Sequence, residues 1–209
     1  MPPAIQVTYS KRAERTFMEA GAMMTSRAII IRDAVSSDLE AIKNVLLGAY
    51  SEYEFLLEKE RWDQYKTDIV KSVTDIRVKA RIVAELDGEI VGSVFLYPSS
   101  EAAYGYPELN IHSPILRLLA VSREARGHGI ATELIRASVR RSLEWGEDTL
   151  HLHSNEMMVA AIRLYEQLGF ERATEKDILK GDSIVKSYRL HLNETSILGG
   201  EKTWVIGNN

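Results

Sequence analysis

The stretch ARGHGIAT, residues 125 to 132, lies between a predicted strand and a predicted helix and decides how the chain folds. The strand before it, ILRLLAV (115–121), has almost no polar residue, which is typical of a strand buried on both faces. The helix after it runs to about Trp145 on an apolar stripe of Ile130, Leu134, Ile135, Val139 and Leu143. The stretch therefore predicts a strand, a glycine-rich turn and a helix at the centre of the fold.

The chemistry of this turn favours an anion. The first four amides of a helix have no partner inside it, and the helix dipole adds partial positive charge there. Gly127 and Gly129 lack side chains, so a phosphate can approach the backbone, and Arg126 can add charge-assisted hydrogen bonds. The dinucleotide fingerprint requires a third glycine where Thr132 stands, and the lysine of the P-loop is missing. The two glycines alone are equally consistent with an anion-binding turn and with a tight turn that binds no ligand.

The remaining pattern predicts the order β-α-α-β-β-β-α-β-α-β-β. AIIIRDA (28–34) is a strand, a helix with a capping box from Ser37 to Glu40 follows it, and residues 51–73 continue as a broken helix. Asp87-Gly88 makes a hairpin of residues 80–98, and residues 98–114 form a long polar loop. TLHLH (149–153) is a strand, a helix over about 156–168 ends at Gly169, and two strands close the fold before about residue 192.

Composition bounds the function. The chain has 209 residues, which fits one large domain or two small ones, and 30 acidic against 26 basic residues argue against broad nucleic-acid binding. It has no cysteine, so disulfides, thiolate metal sites and a cysteine nucleophile are excluded. No apolar run of about 18 residues predicts a membrane span, and no stretch of signal-peptide length begins the chain, so we expect a cytoplasmic protein.

Two motifs together resemble the GNAT superfamily of acyl-CoA N-acyltransferases. Arg126-x-x-Gly129-x-Ala131 directly follows the strand that ends in Leu119-Ala120-Val121, as the family's phosphate-binding turn does. AAIRLYEQLGFER (160–172) is similar to a second family block in the same order. The resemblance covers residues 28–192. It implies a mixed α+β fold, with a mostly antiparallel sheet of six to seven strands that is splayed at its centre and flanked by about four helices.

The resemblance also implies a domain organisation and a site. Residues 1–27 and 193–209 are expected to be tails, and Met23-Met24 is a candidate translation start, which would make residues 1–23 foreign to the native protein. Acetyl-CoA is the expected cosubstrate, with no metal. Tyr165 matches the tyrosine that protonates the departing thiolate. The residues implied in cofactor binding are Leu119, Ala120, Val121, Arg126, Gly127, His128, Gly129, Ile130, Ala131, Thr132 and Met158.

Two positions depart from the family pattern. Met158 stands where many members have an asparagine that touches the cofactor, and Ile115 stands where many have a glutamate base. The base therefore stays open among Glu108, His112, Tyr104, Glu54 and a water chain. Arg117 either pairs with a buried acid or holds a carboxylate of the acceptor. Glu52 and Glu54 either attract a cationic amine or belong to a solvated helix face.

His151 and His153 share one face of a strand without a third ligand, which favours a structural or solvent-facing role. The function expected from the resemblance is acetyl transfer to a primary amine by direct attack in a ternary complex. The alternative is a catalytically silent acetyl-CoA sensor. Small amines, antibiotics, peptide N-termini and lysine side chains all stay open as acceptors, no nucleic-acid or membrane partner is expected, and the resemblance allows a homodimer.

Overall fold

One mostly antiparallel sheet organises the protein. The computed structural model describes residues 5–8, 28–180, 183–199 and 205–206. The strands are β1 (Ile5–Thr8), β2 (Ala28–Asp33), β3 (Ala80–Leu86), β4 (Glu89–Tyr97), β5 (Ile115–Val121), β6 (Thr149–Asn155), β7 (Glu171–Arg172), β8 (Ile178–Lys180), β9 (Ser183–His191) and β10 (Val205–Ile206). Their spatial order is β10-β1-β2-β3-β4-β5-β6-β9-β7, with β8 against β9. Neighbouring strands are antiparallel except β5 and β6, which are parallel.

Helices cover both faces of this sheet. They are α1 (Leu39–Tyr50), α2 (Lys59–Val73), α3 (Ser100–Tyr104), α4 (Ile130–Glu144) and α5 (Val159–Gln167). One core packs α4 against one face of the sheet through side chains such as Leu134 and Ile135. The other core packs α1 and α2 against the opposite face through Leu46 and Ile69. The mixed, mostly antiparallel fold predicted from the sequence is confirmed, with more strands and one more helix than expected in the described part of the chain.

The central hairpin follows from its turn. Asp87 and Gly88 both adopt positive φ, 54° and 84°, which the Asp-Gly pair accepts at low cost, and β3 and β4 pair on either side. The predicted capping box from Ser37 is wrong. Instead, the Asp38 carboxylate accepts a hydrogen bond from the Val35 amide at 2.8 Å and forms an ion pair with Arg32. Residues Ser36–Asp38 therefore form a 3₁₀ turn before α1.

The segment predicted as a long loop, residues 98–114, contains regular structure. Ser99 accepts a hydrogen bond from the Ala102 amide and starts the short helix α3, which ends at Gly105 with φ 73°. The break predicted within residues 51–73 is confirmed, because a 3₁₀ segment (Ser51–Leu56) precedes α2. These two segments lie near the carboxyl-terminal half of β5, where the sheet opens.

The ends of the chain add strands to one edge. β1 pairs antiparallel with β2, and β10 pairs with β1. Both lie inside the predicted tails 1–27 and 193–209, while the rest of the first tail lies outside the described residues, as does the candidate start at Met23-Met24. The division at residues 28 and 192 stays a prediction. No helix in the described part of the chain is both long and apolar enough to cross a membrane.

Candidate active site

The sheet opens between β5 and β6. These two strands pair only at Ile115 with His151 and Leu116 with Leu152, so β5 from Arg117 onward has no β6 partner in the described sheet. Leu118 sits in a bulge with φ 53°, a rare conformation for a branched residue, and the register with β4 shifts opposite it. Because a bulge bends its strand, this one turns the end of β5 away from β6.

The glycine-rich turn lies at the end of the opened strand. Gly127 and Gly129 have φ of 78° and 75°, and Gly129 is the residue before the first turn of α4. The first helical hydrogen bond runs from the Glu133 amide to the Gly129 carbonyl at 3.1 Å. The preceding amides of the helix start therefore point outward with the positive end of the dipole. Positive φ at these two turn positions, on either side of His128, is the physical reason for the two glycines.

A cleft of about 220 Å³ runs from the end of β5 to α5; we call it the turn cleft. Seven residues of the predicted site line it: Leu119, Ala120, Val121, Arg126, Ala131, Met158 and Tyr165. The other predicted turn residues, Gly127, His128, Gly129, Ile130 and Thr132, do not line it. The cleft is also lined by Ala49, Tyr50, Glu52, Tyr53, Ala160, Ala161 and Leu164. Among these seven, Glu52 was expected to attract an amine, and the other six had not been singled out from the sequence.

A salt bridge crosses the mouth of the turn cleft. The Arg126 guanidinium donates to Glu52 at 2.8 Å, and its Nε donates to the Val121 carbonyl at 3.3 Å. Burial works against ionisation of Glu52 and is the largest single influence, but the hydrogen bonds from Arg126 and Tyr53 and the charges of Arg126 and Arg123 together outweigh it and lower the pKa of that carboxyl. Glu52 thus occupies the guanidinium that was expected to meet a phosphate.

Tyr165 lies at the far wall of the turn cleft, on α5. Its side chain is buried against Phe170, with ring centroids 5.8 Å apart, and its hydroxyl has no hydrogen-bond partner among the described residues. Burial raises the pKa of this phenol well above its ordinary value. The group therefore stays protonated at neutral pH and is able to donate a proton.

A second cleft of about 260 Å³ opens on the other side of Met158; we call it the arginine cleft. Arg117 lines it and lies between two aromatic rings, 5.2 Å from the centroid of Tyr97 and 4.7 Å from that of Tyr104. Its guanidinium donates to the Ala103 carbonyl and forms no ion pair with any carboxylate in the described part of the chain. The structure therefore does not show the pairing with a buried acid that was one alternative for Arg117.

Tyr104 and His153 form a hydrogen-bonded pair in the wall of the arginine cleft. The Tyr104 hydroxyl lies 3.1 Å from Nδ1 of His153, and Nε2 of His153 lies 2.9 Å from the Lys176 carbonyl. A carbonyl only accepts, so Nε2 carries the proton and Nδ1 accepts from the tyrosine. Burial lowers the pKa of His153 and raises that of Tyr104 to about 12. His153 is therefore a neutral imidazole whose Nδ1 is placed to accept the Tyr104 proton.

The other candidate bases lie elsewhere. Glu54 and Glu108 are exposed, and neither lines the turn cleft or the arginine cleft. His112 bonds the Asn110 side chain at 2.7 Å on the surface. Of the two roles considered for His151 and His153, the solvent-facing one is wrong for His151, which is buried and bonds Ser113 at 2.8 Å. His153 is half-buried beside Tyr104 of α3. Within the described residues no three His, Asp or Glu side chains converge as a metal site would require.

A family model covers the whole turn cleft and most of the arginine cleft. The model described as acetyltransferase (GNAT) family matches residues 40–170, more than half of the chain. The chain belongs to this family. The GNAT resemblance of the turn and of the α5 block is thereby confirmed.

Curated relatives agree with this assignment. The chain is 32% identical over 105 residues to N-acetyltransferase 8B of Rattus norvegicus, a match that covers 50% of this chain and 45% of the relative. It is 32% identical over 127 residues to the probable N-acetyltransferase camello of Xenopus tropicalis, covering 60% of this chain and 53% of the relative. The chain thus spans about half the length of the curated relatives it matches.

Solved GNAT structures share the fold. A GNAT acetyltransferase from Staphylococcus aureus Mu50 superposes with a TM-score of 0.58 at 18% identity, covering 78% of this chain and 99% of that one. The PaiA N-acetyltransferase from Thermoplasma acidophilum, solved in complex with coenzyme A, gives 0.57 at 16% identity, covering 76% and 97%. At these identities the likeness shows the fold alone.

Proposed function

We propose that this GNAT protein transfers the acetyl group of acetyl-CoA to a primary amine by direct attack in a ternary complex. One observation carries the proposal: two clefts meet at Met158, on either side of the strand edge that the bulge at Leu118 opens. The turn cleft suits the cofactor, and the arginine cleft suits the acceptor. Holding both reactants at one junction supplies much of the rate, because it removes the entropy of their encounter.

The turn cleft offers a coenzyme two kinds of contact. Amides of the turn from Arg126 to Thr132 would bind the pyrophosphate at the start of α4, where the dipole favours an anion. The pantetheine arm would lie along Leu119 to Val121 and add to the open edge of β5 as a further strand does. A backbone amide of that edge would polarise the thioester carbonyl as charge develops on its oxygen.

The residues present suit the chemistry of thioester aminolysis. The amine nitrogen attacks the carbonyl carbon, a carbon–nitrogen bond forms, and the carbon–sulfur bond breaks. Tyr165 gives its proton to the departing thiolate and regains one from solvent; burial, which raises the pKa of this phenol, keeps it protonated until the thiolate forms. The chain has no cysteine, so the acetyl group does not pass through a cysteinyl intermediate.

Tyr104 and His153 provide a route for the amine proton. The Tyr104 oxygen would accept the proton from the attacking nitrogen while its own proton passes to Nδ1 of His153, 3.1 Å away. His153 is prepared for this transfer because burial lowers its pKa and keeps it neutral, and because Lys176 fixes its tautomer. Among the bases left open by the sequence, Tyr104 is the one that lines the arginine cleft.

Release of the coenzyme A thiol tests this proposal directly. A thiol reagent reads only the released coenzyme, because the protein itself has no cysteine. We expect release that depends on both an amine and acetyl-CoA, and that falls steeply in the Tyr165→Phe variant. Tight binding of acetyl-CoA without turnover of any amine in a broad panel would contradict the enzyme and support the silent sensor.

A further inference from the structure

We propose that the acceptor amine carries a carboxylate and an apolar body, and that Arg117 binds the carboxylate. This inference rests on the proposed function and names the acceptor class of the same site. The substrate would be a small amino acid or a related amino carboxylate, rather than a cationic polyamine. Three features of the arginine cleft support it: the unpaired guanidinium, the sign of the charges around it, and the apolar wall opposite.

The geometry of Arg117 prepares it for a planar anion. The rings of Tyr97 and Tyr104 lie 5.2 and 4.7 Å from the guanidinium carbon and hold the group by cation–π contact. One nitrogen is used by the Ala103 carbonyl, and the guanidinium has five N–H donors in a fixed plane. Donors are therefore left for a bidentate carboxylate, which is the partner this planar group binds best.

The charge of the arginine cleft is positive. Arg61 and Lys180 line it together with Arg117, while its one lining carboxylate, Asp68, accepts a hydrogen bond from Gln64 at 2.8 Å. A cleft with three cations and one acid attracts an anion and opposes a polycation. Its remaining wall is apolar and is formed by Leu57, Met157, Ile178 and Val185. An acceptor with an apolar body fits that wall.

The position of Arg117 relates the carboxylate to the reacting amine. Arg117 precedes Leu119 of the turn cleft by two residues on β5, with the bulge at Leu118 between them. Tyr104 packs against Arg117 and is also the group proposed to take the amine proton. One small molecule can therefore place its carboxylate on Arg117 and its amine beside Tyr104.

Matched acceptors test the inference. Phenylalanine, methionine and leucine would each be compared with their primary amides and their decarboxylated amines, by kcat/KM for thiol release and by calorimetric binding to protein saturated with coenzyme A. We expect the acids to exceed their amides by about 10- to 100-fold in kcat/KM, as for a lost hydrogen-bonded charge. The Arg117→Gln variant should abolish this difference by lowering the acids alone, and Arg117→Lys should restore part of it.

Two controls separate this role from a structural one. Arg163→Gln removes the same charge from the exposed side of α5, outside both clefts, and should leave the preference unchanged. Thermal stabilisation by acetyl-CoA should persist in Arg117→Gln, because Arg117 does not line the turn cleft.

The inference is overturned if no acid in the three sets binds or reacts better than its amide, or if Arg117→Gln lowers acids and amides alike. Efficient transfer to amides and plain amines would overturn it while leaving the proposed function in place. Failure of the protein to bind acetyl-CoA would instead remove the proposed function, and the thermal measurement detects that separately.

Discussion

The turn cleft depends on a close approach at Gly92, and this gives a prediction with a defined size. A Cβ atom at position 92 of β4 would lie 3.1 Å from the Ala120 carbonyl oxygen, 3.1 Å from Leu134 and 3.2 Å from Ile130. The oxygen is part of β5, and Ile130 is the first residue of α4. Gly92→Ala therefore forces the two elements that frame the cleft apart by a few tenths of an ångström.

The cost follows from overpacking. Forcing an extra methyl group into a packed core destabilises by about 1–3 kcal/mol, and the lower entropy of the unfolded alanine chain returns about 0.4–1 kcal/mol. We expect a net loss of about 0.5–2 kcal/mol, which lowers the melting temperature by roughly 1–8 °C for a chain of this size. The affinity for acetyl-CoA should fall as well, because the start of α4 moves.

Urea unfolding and acetyl-CoA titration measure both effects, and Gly48→Ala is the matched control. Gly48 lies on the exposed face of α1, where an added Cβ meets nothing within 4 Å. Alanine there should stabilise by about 0.5–1 kcal/mol through helix propensity and leave acetyl-CoA binding unchanged. A Gly92→Ala protein as stable as wild type and with the same affinity would refute the argument from the close approach.

Three further substitutions test single groups. Tyr165→Phe should lower kcat by about 10²- to 10⁴-fold with little change in acetyl-CoA affinity, and an unchanged kcat in steady-state assays would contradict its role as proton donor. Glu52→Gln frees Arg126 and should raise acetyl-CoA affinity about 1.5- to 5-fold in calorimetry at low salt. Weaker binding would contradict the idea that Glu52 and the phosphate of the coenzyme compete for Arg126. Burial lowers the pKa of His151 to about 4. As the pH falls below about 6.5, the imidazole is therefore protonated in the unfolded chain before it is protonated in the folded protein. The free energy of unfolding falls by up to about 3 kcal/mol by pH 4. Urea unfolding across this pH range measures how the free energy of unfolding changes with pH. In His151→Gln this dependence should be weaker by the uptake of nearly one proton, and the same pH dependence in both proteins would disprove the lowered pKa of His151.

Local patterns were sufficient to predict most of the fold. The Asp87-Gly88 turn, the apolar stripe of α4 and the glycines at 127 and 129 each depend on a backbone geometry that few residues adopt, so their positions could be read directly. The capping box at Ser37 failed because Arg32, from the preceding strand, draws Asp38 into an ion pair. That contact is tertiary, and no local pattern reports it.

The candidate site was predictable where a local pattern, or the resemblance of the 160–172 block, pointed to its residues. Residues 119–121 and the turn lie next to each other in sequence, and seven predicted residues do line the turn cleft. Glu52, by contrast, reaches Arg126 from 74 residues away, and Tyr104 meets His153 across 49. Such pairs depend on how the 3₁₀ segment after α1, and α3, pack on the sheet. Glu52 and Glu54 were both candidates to attract an amine, but Glu52 bonds Arg126 and Glu54 is exposed outside both clefts.

The most direct test of the account is thermal unfolding with acetyl-CoA, with ATP and NAD as controls. A ligand that binds only the folded protein, at 100 times its dissociation constant, stabilises by about 2.7 kcal/mol, or roughly 5–10 °C for a chain of this length. We predict a rise of this size with acetyl-CoA and none with ATP or NAD. No rise at millimolar acetyl-CoA, or an equal rise with ATP, would contradict the assignment of the turn cleft and the acetyl transfer that depends on it.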